Sequence, residues 1–235
     1  MEGIEHIGQA VQSVFKGNAD AVVVHKGLVN QIVPVMDANS GELIIHLSAS
    51  TNMSPDPNQK ELVTSVEHAV RLGATAISVH VNIGSPTEAC MLEHLGKVAE
   101  ECDKWGMPLL AMMYVRDSNK VHEYNPQKIR HAARIAEELG ADIVKVNYTG
   151  SLATFKEVTD AINIPVVIAG GDKVNSTEHL LYMVAEAVEA GANVLSMERN
   201  IFQHANPTKL TNMIRQELDS ESPLEKAEEI IKKLG

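Results

Sequence analysis

Lys145 lies inside an apolar run, Ile143-Val144-Lys145-Val146, and is the residue from which chemistry is most directly read. Burial disfavours an ammonium, so a lysine enclosed by apolar neighbours is driven toward the neutral amine, the form that attacks a carbonyl. The competing reading is a side chain that snorkels outward or pairs with a carboxylate. A central strand covered on both faces leaves little room to snorkel, which favours the amine. Tyr114 stands at the end of a second apolar run, Leu109–Met113, where its phenol is placed either to donate a proton or to cover the rim of the fold. Arg116, two residues on, is a surface charge or an anion clamp.

Two further segments suit an anion. Gly170-Gly171 follows the run Pro165–Ala169, with Asp172-Lys173 next, and Glu198-Arg199-Asn200 follows Asn193–Met197. Adjacent glycines at a strand end are a tight turn or a phosphate loop; Lys173 and Arg199 would supply local positive charge. Glu198 argues the other way, since it repels a phosphate unless it is turned away or paired to Arg199. His25, His46 and His80 all fall on or at the ends of strand candidates. No His-x-His pair follows an early strand and no carboxylates are placed to complete a ligand set. Packed or substrate-bonding histidines are therefore the preferred reading over a metal.

The elements that position these residues alternate. Strand candidates are Ala21–His25, Leu43–Leu47, Thr75–Val81, Pro108–Met113, Asp142–Val146, Pro165–Ala169 and Asn193–Met197, near-continuous apolar runs as in parallel strands covered on both faces. Helical patterns cover Ile4–Phe15, Lys60–Leu72, Thr87–Trp105, Pro126–Leu139, Leu152–Ala161 and Glu178–Ala190. Gly73-Ala74-Thr75, Gly140-Ala141-Asp142 and Gly191-Ala192-Asn193 repeat one helix-to-strand joint, and Gly17–Asp20 varies it. A repeated βα unit at this length predicts an α/β fold, a (β/α)8 TIM barrel, but the count is seven strands. The chain opens on a helix, so the expectation is a barrel lacking strand 1 at the N-terminus. Residues 1–235 read as a single barrel domain, ending in a surface helix at about 223–234.

Composition narrows the class. Apolar residues make up 44% and charged residues 22%, with a formal net charge of −11. There is no basic run for nucleic acid, no apolar stretch of membrane-spanning length and no secretory leader pattern. An anionic substrate therefore requires a local reversal of sign. Cys90 and Cys102, on one helix, are expected to be reduced, buried thiols of a cytoplasmic protein.

Five segments together resemble one family. They are His46-Leu47-Ser48-Ala49-Ser50-Thr51 with Ser54-Pro55-Asp56-Pro57-Asn58; Ser78-Val79-His80-Val81-Asn82-Ile83-Gly84-Ser85; Met107-Pro108-Leu109-Leu110-Ala111-Met112-Met113-Tyr114; Asp142 through Gly150; and Val166-Val167-Ile168-Ala169-Gly170-Gly171. The chain resembles the archaeal-type class I aldolases, which include fructose-bisphosphate aldolases and DeoC-like barrels, from Met1 to about Leu210. The resemblance is nearest to a branch of transaldol synthases, because the fructose-bisphosphate aldolases carry a Trp-Ser-Tyr-like segment at Met112-Met113-Tyr114.

The resemblance implies that Lys145 forms the Schiff base and Tyr114 donates the proton. It also implies that Tyr114, Val115 and Arg116 line the sugar-phosphate site, with Gly170, Gly171, Glu198 and Arg199 in the phosphate loops. The implied reaction cleaves 6-deoxy-5-ketofructose 1-phosphate on the lysine and adds the retained carbons to L-aspartate semialdehyde, on a route through 3-dehydroquinate to aromatic amino acids. Small-molecule sugar-phosphate and aldehyde substrates, a homo-oligomer, and no metal or organic cofactor are implied as well. Two departures stand out. The family's general base, an Asp in an Asp-His-Gly motif, would lie upstream of Met1, and Glu198 stands where the family has Gly. On that reading the chain as given is weakly active. A fructose-bisphosphate aldolase and a non-catalytic barrel that binds a sugar phosphate are the alternatives.

Overall fold

Every one of the seven apolar runs forms a strand in the computed structural model, which describes residues 3–117, 122–171, 174 and 176–234. The strands are β1 (Ala21–Val24), β2 (Glu42–His46), β5 (Ala76–Ile83), β6 (Leu109–Val115), β7 (Ile143–Asn147), β8 (Val166–Ala169) and β9 (Val194–Ser196), and all adjacent pairs are parallel. They lie in chain order in one sheet, interrupted in sequence only by a small antiparallel hairpin, β3 (Ser48–Ala49) and β4 (Glu61–Leu62). Helices α3 (Val66–Arg71), α4 (Glu88–Trp105), α5 (Pro126–Glu138), α6 (Leu152–Thr159) and α7 (Thr177–Glu189) alternate with the later strands. This is the expected barrel architecture with seven strands among the described residues. Among the described residues β1 pairs only with β2 and β9 only with β8, leaving Val194 40% exposed on the open side.

Parallel strands need helices to cover their apolar faces, and period-2 alternation divides the side chains between two environments. On the helix side, Ile77, Leu109, Ala111, Met113, Val144, Val146, Val166 and Ile168 join one large core with the helices. The opposite, inner face is thinner: Leu110, Met112 and Val167 form its floor, with Val23, Tyr114 and Ile143 packed against them. Above that floor the inward positions turn polar, so the sheet presents chemistry only at its C-terminal edge.

The helix-to-strand joints behave as their composition predicts. Gly73, Gly140 and Gly191 all take positive φ, and each following strand begins within three residues. After α1 (Ile7–Lys16) the left-handed position falls instead on Asn18 (φ 66), while Gly17 stays at φ −86. Gly17 is small for another reason: a Cβ there would sit 2.6 Å from both Thr208 O and Thr211 Cβ of α9 (Pro207–Leu218). This close approach closes the helical layer where the sheet is open, helped by Thr208 Oγ1 donating to Ser13 O at 2.8 Å. Arg215 adds hydrogen bonds of 2.6 and 2.7 Å to Asp20.

Three expectations need correction. Lys60–Leu72 is not one helix: Glu61–Leu62 pairs with Ser48–Ala49, Val63 N donates to Leu47 O at 2.9 Å, and the helix starts only after Ser65, whose Oγ accepts from His68 N. Of the two thiols on α4, Cys102 is buried but Cys90 is exposed. β6 runs two residues further than Met113, so Tyr114 and Val115 are strand residues. The final helix, α10 (Pro223–Lys232), packs on α7 and α9 and buries Pro223, Ala227 and Ile230. Asp172 and Lys173 lie outside the described residues. Among those described, no helix is long and apolar enough to cross a membrane.

Glu217 of α9 has no solvent exposure, and among the described residues neither carboxylate oxygen has a hydrogen-bond partner. Desolvation pushes its pKa from 4.5 up to about 8, so the folded protein holds a proton there that the unfolded chain releases. Because the native state binds the extra proton, stability falls as pH rises from about 4.5 to about 8, by at most about 1.4 kcal/mol per pH unit. Glu217→Gln should remove that slope. Urea unfolding midpoints measured from pH 5 to 8 should be flatter in the variant; equal slopes would show that Glu217 titrates normally.

Candidate active site

Lys145 sits on the inner face of β7, opposite Met112 of β6 and Val167 of β8. Its Nζ donates to Ser196 Oγ of β9 at 3.1 Å, two strands away. Desolvation lowers its pKa from 10.5 to about 8, and the nearby Glu198 carboxylate opposes part of that drop. The amine is thus enclosed, held by a neutral hydroxyl, and uncharged near neutral pH in a far larger fraction than a surface lysine. Ser196 carries no sequence signal of its own; only the register Ala169↔Ser196 sets it beside the lysine.

Tyr114 is on the same inner face, one pair of residues nearer the C-terminal edge than the level of Lys145. Burial pushes its phenol well above the ordinary value, with Glu198 and Glu123 adding to the shift and Arg116 opposing it. It is therefore a protonated donor over the whole useful pH range. Its ring is wedged between His80, with centroids 4.9 Å apart, and the Arg116 guanidinium, 5.2 Å from the centroid. Arg116 is ion-paired with Glu123, and Asn147 Nδ2 of β7 reaches Glu123 O and Oε1, both at 3.4 Å. Glu123 and Asn147, absent from the sequence-based set, thereby join the ends of β6 and β7. Val115 lies elsewhere: its side chain is in the helix-facing core.

The histidines line the early strands. His46 Nδ1 is 2.8 Å from Ser78 Oγ, His80 Nε2 is 2.9 Å from Asn82 Oδ1, and His25 meets His46 edge-on at 5.3 Å. Burial, reinforced by neighbouring cations, lowers the pKa of both His46 and His80 to about 3, so both are neutral. Among the described residues, no three His, Cys, Asp or Glu side chains gather as a metal-ligand group.

The loops after β8 and β9 are clamped to each other. Asn200 Nδ2 donates to Gly170 O at 2.8 Å, Asn200 Oδ1 accepts from Val174 N at 2.9 Å, and Arg199 Nη2 donates to Gly171 O at 3.0 Å. A Cβ on Gly170 would meet Met197 Cγ at 2.6 Å, so only glycine allows these strand ends to approach. Glu198 caps the short helix α8 (Arg199–Phe202), is exposed, and exerts its field on Lys145 and Tyr114. The structure thus gathers Lys145, Tyr114, Arg116, Gly170, Gly171, Glu198 and Arg199 along one sheet edge.

Comparison with known proteins agrees with this geometry. A family model described as DeoC/LacD family aldolase matches residues 1–204. The chain is 47% identical to 2-amino-3,7-dideoxy-D-threo-hept-6-ulosonate synthase 1 of Archaeoglobus fulgidus, over 91% of this chain and 78% of that protein. It is 42% identical to 2-amino-4,5-dihydroxy-6-oxo-7-(phosphonooxy)heptanoate synthase of Streptomyces griseus, over 84% of this chain and 72% of the relative. Among solved structures, a Schiff-base-forming fructose-1,6-bisphosphate aldolase superposes with a TM-score of 0.83 at 31% identity, covering 88% of this chain and 82% of the other. With a sheet of this topology and a family match spanning most of its length, the chain belongs to the DeoC/LacD aldolase family.

Proposed function

We propose that the protein is a lysine Schiff-base transaldol synthase that builds a seven-carbon 2-amino keto acid from a keto-sugar phosphate and an amino-acid aldehyde. The observation that carries the reading is Lys145: an amine buried on the inner face, lowered to about 8, and held by Ser196 Oγ at 3.1 Å. Nζ attacks the ketone of a donor such as 6-deoxy-5-ketofructose 1-phosphate, and the carbinolamine loses water to an iminium. The iminium accepts the electron pair of the breaking C–C bond, so a phosphorylated aldehyde departs and an enamine remains. The enamine adds to L-aspartate semialdehyde, and water then hydrolyses the new iminium to free Lys145.

Tyr114, kept protonated by burial, supplies the proton at the oxygens that change charge. Gly170, Gly171 and Arg199 take the phosphate through the clamped loops, while Glu198, exposed at the start of α8, exerts its field on the amine. The names of the two relatives support the product class. Both describe a seven-carbon chain with a carboxylate at C1, an amino group at C2 and a ketone at C6. That pattern is what an aspartate-semialdehyde acceptor leaves in its product. We further propose that the protein acts in the cytoplasm as a homo-oligomer.

Borohydride reduction in the presence of the keto-sugar phosphate should fix an adduct on Lys145, found by mass spectrometry, and Lys145→Met should abolish it. An adduct elsewhere sinks the mechanism. Trapping rate should rise with pH through a midpoint near 8, because the neutral amine is the reactive form. Glu198→Gln removes an anion that favours the ammonium, so its midpoint should lie lower than the parent's; an unchanged or raised midpoint contradicts this role for Glu198. Tyr114→Phe should slow turnover by about 10²–10⁴-fold. In side-by-side assays the semialdehyde reaction should outrun cleavage of fructose 1,6-bisphosphate, and the opposite ranking would make the protein a fructose-bisphosphate aldolase.

A further inference from the structure

Lys60 has no part in the reaction as described, yet the fold goes to some length to place it. It follows a loop tied down at several points, between β3 and β4. Asn82 Nδ2, buried on β5, donates to Asn58 O at 2.6 Å, Ser50 Oγ donates to Pro57 O at 2.9 Å, and Asp56 Oδ1 accepts from Asn58 N at 2.9 Å. Lys60 Nζ then donates to Ser50 Oγ at 2.5 Å and to Pro57 O at 3.0 Å. Both acceptors are neutral, and a lysine ammonium has a third donor.

The charge around Lys60 is lopsided. It is half-buried and forms no ion pair among the described residues. Its closest electrostatic neighbours include Arg116, another cation, which together with desolvation lowers its pKa. The nearby Asp56 opposes that shift but already accepts from Asn58 N and, at 3.5 Å, from Thr87 Oγ1. Asn82, which holds Asn58 O, pairs with Tyr114 across β5 and β6, and His80 packs on the Tyr114 ring, so the loop that carries Lys60 ends at the same mouth as the reactive amine. The fields of Lys60 and Lys145 both reach His80 and His46. Glu123 offsets part of the charge of Arg116, but Lys60 has no such partner among the described residues, and an anion between Lys60 and Arg116 relieves their remaining repulsion in a partly dry mouth. Lys60 approaches over β2 and β5, whereas the Gly170-Gly171 loop follows β8, so Lys145 on β7 lies between the two positions in sheet order.

We infer that Lys60, with Arg116 beside it, holds the carboxylate of the incoming aldehyde and makes the mouth selective for an anionic acceptor. The assignment rests on the proposed function for the identity of the acceptor. A product with a carboxylate at C1 and its Schiff-base carbon at C6 needs an anion site remote from the lysine, and Lys60 is placed for it.

The test compares L-aspartate semialdehyde with butanal, an uncharged aldehyde of the same carbon count, in the parent, Lys60→Met and Lys60→Arg. Lys60→Met should raise KM for the semialdehyde by about 10–100-fold, the range for losing a hydrogen bond to a charged group. Butanal kinetics and borohydride trapping of the keto-sugar phosphate should stay within twofold, and Lys60→Arg should recover part of the loss. A KM for the semialdehyde that is unchanged, or an equal loss with both aldehydes, overturns the inference. If the parent traps the ketone but uses no semialdehyde, the functional reading fails. Calorimetry with unreactive L-aspartate then decides on Lys60 alone. Binding weakened by Lys60→Met upholds the subsite; equal binding, or none in the parent, overturns it.

Discussion

The structure depends on the expense of hiding an ammonium inside a parallel sheet. Lys145 is flanked along β7 by Val144 and Val146, both fully buried on the helix side, and faces a floor of Leu110, Met112 and Val167. Desolvation there is what separates its pKa from that of a surface lysine. A carboxylate in direct contact would restore the ammonium and undo the effect. The fold gives Nζ a hydroxyl instead, Ser196, and keeps the nearest described carboxylate influence, Glu198, on an exposed loop.

The same economy governs the polar groups around it. His46 and His80 are held neutral by burial, which for His80 outweighs the opposing hydrogen bond to Asn82, so the inner face holds imidazoles without adding charge. Tyr114 is kept as a phenol by the same desolvation, with Arg116 stacked on it and anchored by Glu123. His46–Ser78 and Lys145–Ser196 tie strands to one another, while Glu123 joins the end of β7 to Arg116, so sheet and loop together stiffen the site.

Much of this was legible in the sequence, and what was missed has a common cause. The apolar runs, the glycine joints and the lysine inside Ile143–Val146 are local signals, and they located the strands and the amine. The error at Lys60–Leu72 arose because Leu62, Val63, Val66 and Val70 suit helical spacing, while the pairing of Glu61–Leu62 with Ser48–Ala49 is decided by a distant segment. The one local clue was Ser65, which caps the true helix. Ser196 is 51 residues from Lys145 and Glu123 is 24 from Asn147; only strand order and register make them neighbours. Val115 shows the converse. It adjoins Tyr114 in sequence, yet period-2 alternation turns its side chain to the opposite face.

Sign is the remaining constraint. A chain of net charge −11 has to attract anions, and no run of basic residues does so. Surface charges would be a poor solution, because salt screens them over about 8–10 Å. The protein instead fixes a few cations at the sheet edge: half-buried Arg116 packed on Tyr114, half-buried Lys60 tethered by Ser50 and Pro57, and the exposed Arg199 bound to the Gly171 carbonyl. Neutral acceptors fix Lys60 without cancelling its charge, whereas Glu123 offsets Arg116 only from one side. The cations therefore stand on both sides of Lys145 in strand order, with Lys60 and Arg116 toward β5 and β6 and Arg199 after β9. A substrate anion on either side is met by a cation, and the carbonyl between the two anionic ends falls at β7, where Lys145 stands.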